Sequence, residues 1–345
     1  MGTPRIDVHH HFLPPFYVHA LIEGGGDPSG WTIPIWTLEK DLQFNKEENI
    51  AFAFLSITAP GAGILPLEKQ ASFCRQANEY AAKIRDADPT HYGFFANIPS
   101  LLDPVAAHEE ITHSLLNLHA DGVILYTRYG EDNHYLGHRD FQATWDLLNG
   151  YGAVVFVHPT HPVDTSLVNA SLPQPMIDYP HETTRTAVDL IVSGTVRSHP
   201  DVKIILSHAG GTLPYLALRP AAMLPYVPSS STKGATITGA GANQLENIMV
   251  ESFMEDARSF YFDTALSAAP LTLGLLKDFA KPGHVLFGSD FPYAPSPAIR
   301  QMDELLDEYG KKDESFVLSA NITAALALFP RLSNALENSV ATTTP

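Results

Sequence analysis

Residues 5–11 read Arg-Ile-Asp-Val-His-His-His, a short apolar run that leads into histidines. His9 and His11 are two apart, so on an extended backbone both imidazoles project to one face and His10 to the other. Two imidazoles leaving a strand together can take two positions of one divalent metal. Three later runs have the same form: AVVFVH ending in His158, VKIILSH ending in His208, and VLFGSD ending in Asp290. A tag remnant would also give consecutive histidines, but this run sits between Ile6-Asp7-Val8 and Phe12-Leu13-Pro14, inside sequence patterned for folding. With sixteen histidines in the chain, any single one is more often packing or surface. The recurrence of apolar strand followed by metal-capable residue carries the argument.

Residues so placed need a scaffold that brings strand ends together. The candidate strands are 5–8, 51–57, 92–98, 122–126, 153–158, 202–207, 260–263 and 285–288. Helical patterns lie between them at 67–87, 103–119, 141–148, 182–197 and 295–309. The second of these opens with Asp103-Pro104, a cap followed by proline at the first helical position. Continuous apolar strands alternating with helices predict a parallel sheet covered on both faces. Eight strands predict an α/β (β/α)8 TIM barrel, and 345 residues suit one barrel domain of about 250 residues with insertions. The expected domain therefore spans 1–345. Gly- and Pro-rich residues 12–36 and residues 159–180 read as long loops after strands one and five, on the rim where such loops cover a site. Residues 228–243 read as a flexible surface loop, and the tail from Ser333 as frayed.

Bulk properties narrow the partners. A net charge of −17 argues against nucleic acid and anionic membrane surfaces. An anionic substrate must then find positive charge locally. The single cysteine, Cys74, rules out an internal disulfide and falls in a helical pattern with Ala71, Ala77, Ala81 and Ile84, as a buried thiol. No run approaches a membrane span or a signal-peptide core, so a cytoplasmic location is expected.

In such a barrel His9, His11, His158, His208 and Asp290 all fall at strand C-termini, the face where barrel enzymes place their chemistry. Three imidazoles and a carboxylate suit one zinc ion, with a position left for water or substrate. Mixed nitrogen and oxygen ligation also admits manganese. The fourth histidine is then an acid/base or electrostatic group.

Asp-Val-His-His-His, Phe-Val-His158-Pro, Ser-His208-Ala-Gly-Gly and Phe-Gly-Ser-Asp290-Phe-Pro together resemble the amidohydrolase-related metal-dependent decarboxylases. That group includes aminocarboxymuconate semialdehyde, γ-resorcylate and fungal 6-methylsalicylate decarboxylases, and the resemblance is nearest to the last. It runs from Arg5 to about Leu328 and implies a role in secondary metabolism. It also implies His9, His11, His158 and Asp290 as metal ligands and His208 as the unliganded catalytic histidine. A homodimer is implied too, in which Arg219, eleven residues past His208, reaches the neighbouring subunit's site to bind substrate carboxylate. Hydrolytic members bridge two metals with a modified lysine after strand four; here that strand ends Leu125-Tyr126-Thr127-Arg128, which favours one metal. Other decarboxylases carry Glu in place of the first histidine of the pair, so zinc and manganese both stand.

The expected substrate is a small aromatic carboxylic acid, and the expected reaction converts an ortho-hydroxybenzoate, such as 6-methylsalicylate, to 3-methylphenol and CO2. Asp290 is expected to carry the proton and His208 to stabilise developing charge. A metal-dependent lactonase would use the same ligands, and a non-enzymatic metal-binding scaffold would turn over nothing. Trp36, Phe291 and Tyr293 are candidate walls for an aromatic substrate, with Phe291 taken as substrate-binding. Phe291-Pro292 is a candidate cis peptide. His134, His138 and His161 read as solvated loop residues, and Asp263 as a cap or hydrogen-bond partner.

Overall fold

The computed structural model describes residues 3–227 and 250–332. Eight parallel strands form one sheet in the order β1 (Arg5–His11), β2 (Ile50–Ser56), β3 (Tyr92–Asn97), β4 (Gly122–Tyr126), β7 (Val154–His158), β8 (Lys203–Leu206), β9 (Tyr261–Asp263) and β10 (Val285–Leu286). A two-stranded hairpin, β5 (Arg128–Tyr129) and β6 (His134–Tyr135), stands outside it. The sheet closes on itself. The Val8 N–H donates to the Phe287 carbonyl at 3.0 Å, and the Asp290 N–H to the His9 carbonyl at 2.8 Å. His10 and Phe291 complete the seam as a parallel bridge. The architecture is the (β/α)8 barrel expected from the strand pattern.

Strands β2, β3, β4 and β7 are buried almost throughout, because helices cover one side and the barrel's own filling the other. Inside, the Phe156, Phe95 and Phe54 rings follow one another at 5.5 and 5.3 Å between centroids, with Phe329 4.2 Å beyond. Each buried ring contributes on the order of 1.5–3 kcal/mol from water exclusion. The imidazole of His9 rests edge-on against Phe156 at 4.9 Å, so the metal-capable residues stand on an apolar floor.

The covering helices follow their sequence signals. Helix Leu67–Ala87 buries Phe73, Cys74, Ala77, Ala81 and Ile84 on one face. Helix Pro104–Leu116 is capped by Asp103, whose Oδ1 accepts the Ala106 N–H at 3.1 Å. Two expectations need correction. Residues 12–36 are not one loop, since Pro15–Glu23 is a helix that buries Tyr17, Ala20 and Leu21; neighbouring glycines and prolines masked its short apolar face. Strand β1 also extends through the histidines to His11 instead of stopping at Val8. Residues 228–243 and the tail from Ser333 lie outside the described residues. Among the described residues, no helix is long and apolar enough to cross a membrane.

Candidate metal centre

Alternation along β1 sets up the site. His9 and His11 turn into the barrel mouth, where their Nε2 atoms lie 3.1 Å apart. His10 turns outward, its Nδ1 3.0 Å from Asp7 Oδ2 and its Nε2 2.9 Å from Asp41 Oδ2. Strand β7 delivers His158, whose ring is 4.9 Å from His11 and 5.3 Å from His9. Asp290, just past β10, brings Oδ1 to 3.4 Å from His9 Nε2 and 3.3 Å from His11 Nε2. One ligand atom from each of His9, His11, His158 and Asp290 lies within 4.8 Å of the others.

Whether these atoms fit a cation depends on where the imidazole protons sit. The His9 Nδ1–H donates to Asp263 Oδ2 at 2.8 Å. The His158 Nδ1–H donates to the Pro159 carbonyl at 2.8 Å. Ser56 Oγ gives its own proton to the His10 carbonyl, so at 3.0 Å it accepts the His11 Nδ1–H. All three Nε2 atoms therefore present lone pairs to the same point. Lone pairs 3.1 Å apart repel unless a positive charge lies between them. Metal bonds of about 2.0–2.1 Å place neighbouring ligands near this spacing, and Nδ1 anchoring is how proteins orient such ligands. The residues fit a divalent ion.

The electrostatics agree. Burial works against protonation of His9, but the Asp263 and Asp290 carboxylates outweigh it and lift the imidazole to about 10. The field at this point favours a positive charge. Burial and the neighbouring imidazoles push His158 well below its ordinary value, keeping its lone pair free. Burial opposes ionisation of Asp290, yet His9, His11 and His208 together hold its carboxyl well below the usual range.

His208 stands apart from the four. Its Nδ1–H donates to the Ala265 carbonyl at 3.1 Å, and its Nε2 faces Asp290 Oδ2 at 4.0 Å. It follows β8 in the left-handed region at φ 53°, as does Asp290 at φ 64°. Such conformations cost on the order of 1–3 kcal/mol and persist where the surroundings impose them. Asp263 imposes one: its Oδ1 accepts both the His208 and Ala265 N–H groups, at 2.9 and 3.0 Å. Asp7 imposes the other, accepting the Ser289 N–H and Oγ–H at 3.1 and 2.5 Å. The turn before Asp290 needs glycine, because a Cβ on Gly288 would meet the His9 Cβ at 2.7 Å.

A cavity of about 520 Å³ opens above these groups, lined by His158, His208, Asp290, Tyr179, Tyr293, Trp31 and Asp27 among others. Tyr293 is in place, its ring edge-on to His11 at 6.0 Å. Phe291 is not. Its ring is buried against Phe44 at 4.0 Å and His10 at 5.1 Å, because the residue after Asp290 turns to the outer side of the barrel; it is a packing residue. Trp36 likewise donates Nε1–H to Asp41 at 2.8 Å, away from the cavity. His161 is partly buried, not solvated, with Nδ1 2.7 Å from Gln174 Oε1. His134 and His138 stay at the rim of the hairpin beside Asp140, and Phe291-Pro292 is cis. Arg219 is exposed on helix Leu218–Met223, outside this chain's own cavity. Sequence reasoning missed Asp7, Asp27, Trp31 and Tyr179. Asp27 sits in a Gly-Gly-Gly-Asp-Pro run that signals only a turn.

The amidohydrolase family model matches residues 6–326. The chain is 52% identical over 334 residues to 6-methylsalicylic acid decarboxylase of Penicillium expansum, covering 96% of this chain and 98% of that protein. It is 50% identical over 344 residues to the enzyme of the same name from Aspergillus aculeatus, covering 97% and 99%. Among solved structures, dihydroxybenzoic acid decarboxylase from Polaromonas, with bound manganese and 2-nitroresorcinol, superposes with a TM-score of 0.75 at 20% identity over 95% of this chain and 97% of that one. With fold, ligand geometry and near full-length identity in agreement, the chain belongs to the amidohydrolase family, in its branch of decarboxylases.

Proposed function

We propose that this chain removes CO2 from an ortho-hydroxybenzoate, with 6-methylsalicylate giving 3-methylphenol as the leading reaction. The observation that carries the reading is the joint placement of His208 and Asp290: one end of a cavity for a small ring holds a mononuclear ligand set and an unliganded imidazole facing the same carboxylate. Relatives half identical over nearly their whole length carry that activity in their names. His9, His11, His158 and Asp290 would hold one divalent ion, zinc in the first instance and manganese as the alternative. When bound, it would supply Lewis-acid chemistry to the substrate edge that bears the carboxylate and ortho-hydroxyl.

The chain's own residues supply the rest. Asp290 delivers a proton to the ring carbon that bears the carboxylate. Its carboxyl faces both the ligand cluster and the His208 Nε2, at 4.0 Å, so a proton it takes up from solvent can be handed to a carbon seated there. The carbon–carbon bond then breaks, its electron pair restores the aromatic ring, and CO2 leaves. One proton is consumed overall and is replaced from solvent. His208, fixed through Nδ1, presents Nε2 to the reacting edge, orients the substrate and stabilises the charge that develops. Tyr179, Tyr293 and Trp31 wall the ring and exclude water.

No lysine or arginine lines the cavity among the described residues. This supports a homodimer in which Arg219, exposed on its own subunit, reaches the neighbouring site and meets the substrate carboxylate. A cytoplasmic location is part of the same reading.

The test is a panel of hydroxybenzoates assayed for CO2. 6-Methylsalicylate should be turned over and its para-hydroxy isomer should not, because only an ortho oxygen reaches the same ligand cluster as the carboxylate. In D2O the phenol should gain one deuterium at the carbon that lost CO2. Equal turnover of the para isomer would remove the mechanism, and a ring-opened product without CO2 would favour the lactonase.

A further inference from the structure

The cavity holds a second carboxylate that this chemistry does not use. Asp27 and Asp290 both bear electrostatically on Tyr179 and Tyr293. The Tyr179 ring reaches both regions of the wall, 6.4 Å from the His158 ring and 6.1 Å from that of His161. Asp27 lies on the His161 side, on the loop whose Trp31 Nε1–H donates to the Tyr293 carbonyl at 3.1 Å, and is not one of the clustered ligand groups.

Asp27 is held rigidly. Its Oδ1 accepts the Ser29 N–H at 2.9 Å and the Ser29 Oγ–H at 2.6 Å. Ser29 is buried, and its carbonyl accepts the Gln174 N–H at 3.1 Å, tying this loop to the one after β7. The second oxygen, Oδ2, has no hydrogen-bond partner among the described residues, and no lysine or arginine pairs with it there. His161 is the one group with cationic potential that bears on it, and burial pushes that imidazole toward its neutral form. The far end of the cavity thus carries an uncompensated acceptor. A substrate seated by its carboxylate and ortho-hydroxyl at the ligand cluster must turn its opposite edge toward this group.

We propose that Asp27 is a specificity determinant, a fixed negative charge that admits ortho-hydroxybenzoates with a neutral far edge and rejects those carrying a second carboxylate there. This rests on the decarboxylase reading above. Like charges a few ångströms apart in a partly desolvated cavity weaken binding by about tenfold to a hundredfold. The rejection is electrostatic, so it acts on diacids that would otherwise fit.

The full-length, metal-loaded protein is titrated with salicylate and with 4- and 5-carboxysalicylate, following quenching of tryptophan fluorescence, to which Trp31 in the cavity wall contributes. CO2 release is measured in the same samples and with 6-methylsalicylate. The native chain should bind salicylate at least tenfold more tightly than either diacid. In Asp27→Asn, which keeps an acceptor for the Ser29 turn, that ratio should fall at least tenfold. Asp27→Ala should lower it as well. Native binding of a diacid as tight as that of salicylate, or a ratio in Asp27→Asn equal to the native one, overturns the proposal. A ratio that collapses as expected with no CO2 from any acid would instead sink the decarboxylase reading and leave the charge filter standing.

Discussion

Asp263 Oδ2 accepts the Nδ1–H of His9 at 2.8 Å, with both side chains fully buried. Through its other oxygen the same carboxylate sets the backbone of His208. One residue thus orients a ligand and positions the imidazole beside it. Asp263→Ala should weaken metal affinity about 10- to 100-fold and lower turnover further at saturating metal, since His208 loses its support as well. Competition with a chelator, run beside activity at excess metal, separates the two effects. Full activity once metal is restored would deny Asp263 the second role.

His9→Ala and His158→Ala should each lose metal and activity together, from about one ion per chain in the native protein. His208→Ala should keep the metal and lose turnover about 10²- to 10⁴-fold. Elemental analysis of the three purified variants checks both statements at once. Metal loss in His208→Ala would make His208 a ligand and force the roles of His208 and His158 to be reassigned.

Arg219→Ala and His208→Ala chains, each inactive alone, should regain part of the native activity when mixed into heterodimers. One of the two sites then has an intact His208 and receives an intact Arg219 from its neighbour. Activity measured on heterodimers isolated with two different affinity handles decides the matter. No recovery there would place Arg219 in its own subunit's site or in none.

His10 gives a prediction about stability. Burial disfavours its charge, but Asp41 and Asp7 raise its pKa from 6.5 to about 10. A raised pKa stabilises the fold fully below pH 6.5, and that contribution is lost as pH rises toward 10. Unfolding free energy of the metal-loaded protein should therefore fall between pH 6.5 and 10. His10→Gln should be less stable at pH 6 and show a shallower decline. Equal slopes in denaturant titrations of the two proteins would exclude His10 as the source.

The fold and the gathering of His9, His11, His158 and Asp290 at the barrel mouth were legible in the sequence because both follow from periodicity. Strand alternation sends His9 and His11 one way and His10 the other, and apolar runs that end in His158 and Asp290 mark the barrel mouth. Phe291 was misplaced because alternation does not survive the left-handed turn at Asp290, which redirects the next side chain outward. Asp27 and Asp7 were missed for a related reason. Their partners lie at Ser29 in an irregular loop and at Ser289 in the turn past the last strand, and no local pattern encodes such pairings. The helix Pro15–Glu23 was hidden by the glycines and prolines that flank it.

The seam between β1 and β10 has a consequence for how the protein is made. His9 lies on the first strand and Asp290 just past the last, so the rest of the barrel is synthesised between them before the two can meet across the seam. A nascent chain can hold histidines that bind an ion loosely and none of the geometry that fixes it. The centre would therefore be acquired only once those two strands have met, and an ion shared between them would act as a clasp on the seam of the finished barrel.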